Sequence, residues 1–417
     1  MKFVLLLFKF NYVMDQAKQT GKVLQQISQV LDSFIEQEPH PGLLSGYSGT
    51  ALFYAYYHNL TGKKKHLKKV HEVLLKSIQA LSEQEMILSH CSGVAGIGWC
   101  IQHLMQAGFA EGDGMQDIFE EADSILGDFM ETDLLNNNYD FLHQGLGITL
   151  YFLERLPHPT AERYLKEVVM LLEKTAKETA PGISWKDHFS RTSQELGNLD
   201  CFNLGLAHGV PAIITVLGMI YEKGIAADAA LTLINRSVTW LLALKNEPET
   251  GVTSLYPSLV GMNNEALHGK QSRLGWCYGD LGIAITLWNT GQRTQNQQYR
   301  QAAYDIFEHT VKHRDKKNGS VNDACLCHGS AGIAQIFHRA SLATGDTLLA
   351  QGATHWTQQT LQLNTWEDGP AGYKFFHSPT YENCYNLLEG ITGIGLSLIA
   401  SLDKDTDPAW DRCLLLS

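Results

Sequence analysis

The stretch Ser272-Arg-Leu-Gly-Trp-Cys-Tyr-Gly-Asp-Leu-Gly282 aligns without a gap with a segment fifty positions later that contains Cys327-His-Gly-Ser-Ala-Gly332. The alignment places Cys277 on Cys327, and His328 follows directly. If both segments open the same structural unit, two thiols and an imidazole from neighbouring units come together. Three such ligands leave one position of a tetrahedral zinc ion free, which is typical of a catalytic zinc site rather than a structural one.

A glycine signature of the same kind occurs seven times, at intervals of roughly 50 to 70 residues. Its copies begin at Gly46, Gly93, Gln144, Gly209, Gly279, Gly329 and Gly390. Self-similarity at such a period indicates a repeat architecture, and it outweighs local propensities for single elements. The chain is therefore predicted to consist of seven related units.

Each unit carries two helical patterns of different character. The signature precedes an apolar stretch, such as 212–221, and follows an amphipathic one, of which 298–312 is the clearest. A stretch that is apolar on all sides predicts a buried helix, whereas one apolar face predicts a helix that covers a core. Strand signals are sparse. The pattern predicts an all-α fold, a closed α/α toroid (barrel) of seven inner and seven outer helices.

We expect the whole chain, residues 1–417, to form a single domain of this kind. The longest spacings between signatures fall at 178–207 and 245–272, which are polar and rich in turn residues, so loop insertions are expected there. A closed ring leaves no repeat face unpaired, and a monomer is therefore the expected state.

Composition excludes several classes of function. Hydrophobic residues make up 44% of the chain and charged residues 18%, and the net charge is −12. No extended basic stripe is present, which makes nucleic acid an unsuitable partner. No apolar run approaches the ~18 residues that a membrane helix needs. The eight cysteines are scattered through a large chain, so reduced thiols and a cytoplasmic location are expected.

Four further residues lie close to the signatures and are candidates for chemistry: His208, Asp140, Arg273 and Tyr278. His208 takes the register position of His328. Each of the four also has a structural interpretation. His208 and Asp140 are good helix-capping residues, Arg273 would suit a surface loop, and Tyr278 would suit the wall of a cavity.

The remaining cysteines offer alternatives to the predicted ligands. Cys325 could replace either thiol, although it falls outside the register. Cys91 occupies the register position in the second unit and follows His90, so this pair is a second alternative. The others are predicted to be packing or surface thiols: Cys100, Cys201, Cys384 and Cys413.

A zinc ion with a free position suggests chemistry on a thiol, because zinc-bound thiols are deprotonated at neutral pH. A second group must then manage the proton and the charge of the electrophile. His208 is the natural acid/base at that pH. Arg273 is placed to stabilise a developing enolate, and Asp140 to orient or ionise the histidine.

These residues resemble the lanthionine synthetase C-like (LanC) family, the cyclases of lanthipeptide biosynthesis. The resemblance covers nearly the whole chain and depends on the seven signatures, Trp276-Cys-Tyr-Gly279, Cys327-His-Gly329 and Ala207-His-Gly209. It implies an α/α toroid and a zinc-dependent enzyme. In that reaction a peptide cysteine adds to dehydroalanine or dehydrobutyrine and forms a lanthionine or methyllanthionine thioether.

The resemblance also implies residue roles. Its zinc ligands match Cys277, Cys327 and His328, and its acid/base matches His208. Conserved active-site positions of the family match Asp140, Arg273 and Tyr278. The chain departs from the pattern at Gln144, where the other units have glycine, and this departure is expected to affect the placement of Asp140.

The family context further implies partners. The chain is expected to be a stand-alone cyclase that acts on a dehydrated precursor peptide with a leader. It would then need a separate dehydratase, and a complex with that enzyme and an exporter would place it peripherally at the membrane.

Three other functions stay open. A LanC-like protein can add glutathione or another free thiol to dehydrated residues by the same chemistry. A non-catalytic peptide- or thiol-binding scaffold would not need His208. Glycosidases and prenyltransferase subunits also use α/α barrels, but the former need paired carboxylates at the opening and the latter fit the seven-fold register poorly.

Overall fold

The computed structural model describes residues 2–110, 115–187, 200–403 and 407–417, without the side chains of 2–14 and 115–118. Within these ranges, fourteen α-helices alternate between an outer and an inner position. The outer helices are α1 (Lys2–Gln37), α3 (Lys64–Glu83), α5 (Met115–Leu135), α7 (Pro159–Thr175), α9 (Ala227–Ala243), α11 (Gln297–His313) and α13 (Thr347–Gln362). The inner helices are α2 (Gly49–Thr61), α4 (Val94–Gln106), α6 (Gly145–Arg155), α8 (Val210–Glu222), α10 (Asp280–Arg293), α12 (Ser330–Thr344) and α14 (Ile391–Leu402).

The inner helices form a closed ring, because α14 packs against α2 as well as against α12. The predicted toroid of seven inner and seven outer helices is confirmed. Helix α8 shows why the inner helices stay inside, since every residue from Val210 to Ile220 is buried. No helix in the described ranges is long and apolar enough to cross a membrane.

Outer helix α11 shows the opposite pattern. Only Tyr299, Ala303, Ile306, Phe307 and Thr310 are buried, and they recur at helical spacing on one face. The side chain of Asn296 caps the first turn by accepting hydrogen bonds from two backbone N–H groups. The observed helix is longer than its predicted range of 298–312 by one residue at each end.

In five of the seven units, the glycine three positions after the start of the signature is explained by a loop that folds back onto the start of the inner helix. A Cβ atom added at Gly96 would lie 1.9 Å from the carbonyl oxygen of His90, and one at Gly332 would lie 1.9 Å from that of Leu326. No side chain fits at such a distance. At Gly279 the backbone itself requires glycine, because its φ is +96°.

The inner helices all begin at the same end of the ring, which we call the mouth. In each unit the residue two positions before the start of the signature is its junction residue. The seven junction residues are Leu44, Cys91, Leu142, Ala207, Cys277, Cys327 and Leu388. The residue that follows each of them is the mouth residue of that unit. The seven mouth residues are Ser45, Ser92, His143, His208, Tyr278, His328 and Glu389.

Junction residues link neighbouring units through the backbone. The N–H of Cys277 donates to the carbonyl of Cys327 at 3.1 Å, and the N–H of Cys327 donates to that of Leu388 at 3.0 Å. In the same way, Leu388 donates to Leu44, Leu44 to Cys91, and Cys91 to Leu142. The N–H of Ala207 donates to the carbonyl of Cys277. Six of the seven junctions between described residues are closed in this way. The junction residues are buried except for the partly exposed Cys327, whereas all mouth residues are partly or fully exposed.

Short strands accompany the connections. Strands β1 (Lys177–Glu178) and β2 (Ile183–Ser184) pair with each other, as do β6 (Phe375–His377) and β7 (Thr380–Glu382). Strands β3 (Cys201–Asn203), β4 (Leu259–Gly261) and β5 (Ala266–Leu267) form an antiparallel sheet. This sheet joins the two segments in which insertions were predicted, and it delivers the chain directly to the His208 loop. Residues 188–199 of the first segment lie outside the described residues.

Candidate metal site and acid/base pair

Three side chains meet at the junction of the fifth and sixth units. One ligand atom from each of Cys277, Cys327 and His328 lies within 4.8 Å of the others. The backbone bond between Cys277 and Cys327 sets this distance, because it fixes the two junction residues side by side. His328, as a mouth residue, is partly exposed with 13% of its side chain accessible. The cluster therefore lies at the mouth and is open to solvent on one side.

The two thiols influence each other's ionisation. A hydrogen bond from Cys327 is the main cause that holds the pKa of Cys277 well below its usual range, against the effect of burial. His328 and the positive charge of Arg273 act in the same direction. The same hydrogen bond, with burial, raises the pKa of Cys327 well above the ordinary thiol value. One thiolate is thus favoured in the pair before any metal binds.

A carboxylate lies behind the histidine. Asp323 is fully buried, and its Oδ2 lies 3.6 Å from Nε2 of His328. Its two oxygens are held by the backbone N–H groups of Cys325 at 3.0 Å and Phe376 at 2.8 Å. A carboxylate that orients a ligating imidazole is typical of zinc sites. Two thiols, an imidazole and this carboxylate are a donor set that fits a zinc ion.

A second donor set shares the same histidine. Ligand atoms of Asp323, Cys325 and His328 also lie within 4.8 Å of one another. Burial, together with the negative charge of Asp323, raises the pKa of Cys325 well above the usual range. Its sulfur already accepts a hydrogen bond from the backbone N–H of His328 at 3.4 Å. Of the two sets, only the one with Cys277 and Cys327 contains a thiol whose pKa is lowered, so it is the better candidate metal site.

His208 and Asp140 form a pair across the junction of the third and fourth units. Nδ1 of His208 lies 2.5 Å from Oδ2 of Asp140. The other carboxylate oxygen accepts hydrogen bonds from the backbone N–H groups of Leu142 at 2.9 Å and His143 at 2.8 Å. Burial lowers the pKa of His208, but the hydrogen bond and charge of Asp140 outweigh it, and the net shift is upward. The pKa of Asp140 is lowered by His208 in spite of burial.

Gln144 does not displace Asp140 from this pair. Its φ of −131° and ψ of −164° are close to the −133° and −161° of Gly209, which holds the same place in the fourth unit. The extended backbone accepts a side chain here, and Oε1 of Gln144 accepts a hydrogen bond from the N–H of Asp140 at 3.3 Å. The expected effect of this departure on Asp140 is therefore not observed.

Tyr278 lies between the two clusters. Its ring centroid is 5.9 Å from that of His208, and it follows Cys277 directly. Its hydroxyl accepts a hydrogen bond from Nδ2 of Asn203 at 3.0 Å, and the same amide group donates to Oδ2 of Asp187 at 2.9 Å. Asn203 was missed in the sequence, although the strand β3 that ends with it leads straight to His208.

Arg273 has an exposed side chain at the mouth. Its guanidinium is close enough to Cys277 for the positive charge to help lower the pKa of that thiol. Its carbonyl oxygen would lie 2.0 Å from a Cβ at Gly279. The tight turn between these two residues therefore holds Arg273 beside the candidate metal site.

Two further mouth residues flank the clusters and were not selected from sequence. The ring of His143 stacks with that of His208, with centroids 6.2 Å apart. Burial raises the pKa of Glu389 in spite of the opposing effect of the charge on His328. The register could have identified both, because each directly follows a junction residue.

The alternative pair Cys91 and His90 lies apart from both donor sets found in the described ranges. Burial raises the pKa of Cys91 to about 11 and lowers the pKa of His90 to about 4. Nε2 of His90 donates to the carbonyl of Cys413 at 2.9 Å. This pair is a packed, neutral part of the ring.

The chain is similar to known proteins in sequence and in fold. The chain is 25% identical over 308 residues to the nisin biosynthesis protein NisC of Lactococcus lactis subsp. lactis, an alignment that covers 70% of this chain and 72% of that one. The solved structure of nisin cyclase superposes with a TM-score of 0.75 at 20% identity, covering 95% of this chain and 96% of the other. The family model for lanthionine synthetase C-like proteins matches residues 39–415, which include both clusters. By its sequence and by its ring of seven paired helices, the chain belongs to the lanthionine synthetase C-like protein family.

Proposed function

We propose that the protein is a zinc-dependent cyclase that forms lanthionine or methyllanthionine rings in a dehydrated peptide. The observation that carries the proposal is the triad of Cys277, Cys327 and His328, with ligand atoms within 4.8 Å, at the same mouth as the pair of His208 and Asp140. A metal site without an acid/base would suit binding alone. The presence of both favours a reaction that moves a proton.

Cys277, Cys327 and His328 would hold the zinc ion. When bound, zinc supplies a free coordination position that favours the thiolate form of a substrate cysteine. Asp323 would keep the imidazole of His328 in its ligating orientation. Arg273 adds positive charge on the exposed side of the cluster, where a peptide would approach.

His208 handles the proton. Because Asp140 occupies Nδ1, Nε2 of His208 is the ring nitrogen that exchanges a proton with the substrate. In the addition, a carbon–sulfur bond forms at the β-carbon of the dehydrated residue, and its α-carbon takes up one proton. The thiol proton leaves and a proton arrives from His208, so the product is an isomer of the substrate and no oxidant is needed.

Arg273 and Tyr278 complete the site. The reacting carbonyl gains negative charge while the bond forms, and a nearby guanidinium stabilises such charge. Tyr278 packs between His208 and the thiols, and its bond to Asn203 fixes its ring. Its role in the proposal is to hold the substrate between the two clusters.

The proposal also defines the partner. The substrate must carry both a cysteine and a dehydrated serine or threonine, so a dehydration reaction must precede the one proposed here. A precursor peptide with a leader fits this requirement, and an exporter would act on the product.

The test is an assay of the zinc-loaded protein with a peptide that contains one dehydroalanine and one cysteine. Ring formation leaves the mass unchanged but removes the free thiol, which a thiol-alkylating reagent followed by mass spectrometry detects. A second reaction uses glutathione and a dehydrated peptide without cysteine. Loss of the peptide thiol supports the cyclase. A glutathione adduct without any ring would favour the free-thiol reaction, and no reaction in either assay would favour a binding scaffold.

A further inference from the structure

The interior of the ring is filled by residues 409–417, which we call the central segment. Six of its side chains are at most 1% exposed: Trp410, Asp411, Cys413, Leu414, Leu415 and Leu416. The segment follows α14 and includes a six-residue 3₁₀ helix, Ala409–Leu414. It belongs to none of the seven repeats, and the glycine signature gives no indication of it.

Polar bonds join the central segment to inner helices on opposite sides of the ring. Asp411 accepts hydrogen bonds from Nη2 of Arg339 at 2.6 Å and from Nε2 of Gln335 at 2.6 Å, both on α12. On the other side, Nη2 of Arg412 lies 3.3 Å from Oε1 of Glu154 on α6. The segment is thus fixed at the end of the ring remote from the mouth.

From there the chain reaches toward the mouth. The carbonyl of Leu414 accepts a hydrogen bond of 2.7 Å from Nε1 of Trp276, the residue directly before Cys277. The carbonyl of Cys413 accepts one from His90, the residue directly before the junction residue Cys91. The carbonyl of Leu416, two residues beyond Leu414, accepts a hydrogen bond of 3.1 Å from Nδ2 of Asn289 on α10.

We propose that the central segment positions Cys277 through the bond between Leu414 and Trp276. The backbone N–H groups of Trp276 and Cys277 both donate to the carbonyl of Cys327, and the fully buried indole of Trp276 adds the bond to Leu414. Metal sites depend on outer contacts that hold a ligand in place. Here that contact comes from a segment far away in sequence. The inference rests on the proposed role of Cys277 as a metal ligand.

The test compares two substitutions that remove the same group. Trp276→Phe deletes the indole N–H that bonds to Leu414. Trp240→Phe is the matched control, because Trp240 is also fully buried and donates to Oδ1 of Asn264 at 3.0 Å, but on outer helix α9. Both variants should lose similar resistance to urea. Only Trp276→Phe should bind zinc more weakly, by about 10-fold in competition with a chelator.

The outcomes separate this inference from the proposed function. No zinc bound by the unaltered protein would refute the metal site itself. Zinc bound equally well by the unaltered protein, Trp276→Phe and Trp240→Phe would leave that site standing and overturn the positioning role. If Trp276→Phe does not fold, Asn289→Leu takes its place, because it loosens the central segment beyond Leu414 without touching the mouth. A smaller loss of zinc affinity is then expected, and an unchanged affinity would overturn the inference.

Discussion

Two junctions of the same ring are built in different ways. Between the fifth and sixth units, the backbone of Cys277 bonds to the backbone of Cys327. Between the third and fourth units no such backbone bond joins the described residues Leu142 and Ala207. There the N–H of Leu142 donates to one carboxylate oxygen of Asp140, and the other oxygen of Asp140 bonds to His208 in the next unit.

The difference corresponds to the chemistry that each junction supports. A backbone link leaves two side chains parallel and close, which suits a pair of ligands that must not move. A side-chain link replaces a neutral bond by a charged one between titratable groups, which suits proton transfer. Under the proposed function, one repeat would therefore provide a rigid junction for the metal and an ionisable junction for the proton, and four substitutions test this contrast.

The largest effect is expected from Cys327→Ala. It removes one of the three proposed ligands while the backbone bond to Cys277 remains. The variant should keep its helix content and bind no zinc, whereas the unaltered protein should bind about one ion per chain. Metal content after gel filtration, together with circular dichroism, checks this. Cys91→Ala is the matched control, because it alters a junction residue outside the cluster and should keep zinc. Full zinc occupancy in Cys327→Ala would refute the ligand assignment.

His208→Ala is expected to separate metal binding from turnover. Zinc content should be unchanged, because His208 is not one of the three proposed ligands. The rate of ring formation should fall by about 10²- to 10⁴-fold, the usual contribution of a general acid or base. The measurement is a time course of thiol loss in the cyclisation assay. A normal rate would show that the proton comes from another group.

Asp140→Asn is expected to act through His208. The carboxylate raises the pKa of His208 against burial, so with a neutral amide the effect of burial remains and the pKa falls. The amide oxygen can still accept from the N–H of Leu142, which should preserve the fold. Histidine NMR signals followed through a pH titration check the direction, and turnover should fall about 10-fold, less than in His208→Ala. A pKa of His208 that rises or stays constant would contradict the pairing.

The smallest effect is expected from Tyr278→Phe. The ring and its contact with His208 remain, and only the hydroxyl that accepts from Asn203 is lost. Because Asp187 still accepts from the same amide group, the free energy of unfolding should fall by no more than about 0.5–1.5 kcal/mol. Urea denaturation measures this. A loss of zinc in this variant would mean that Tyr278, and not the backbone junction, holds Cys277 in place.

Much of the site followed from the repeat register. Residues at the same place in a repeat occupy the same place in the ring, so aligning Cys277 with Cys327 was enough to predict that they meet. Asn203 was not predictable, because it acts from a strand outside the register. Asp323 was missed for a related reason, since its contact with β6 exists only after the 363–390 connection has folded back.

The sequence by itself determined the seven units, the buried and covering helices and the positions of the residues at the mouth. These follow from local periodicity and from glycines at positions where another part of the backbone approaches too closely for a side chain. Tertiary structure alone decided which junction is closed by backbone and which by Asp140, and it placed residues 409–417 inside the ring. The physical reason is that a repeat encodes each unit and its neighbour, whereas a segment without a repeat takes its place only when the ring has closed around it.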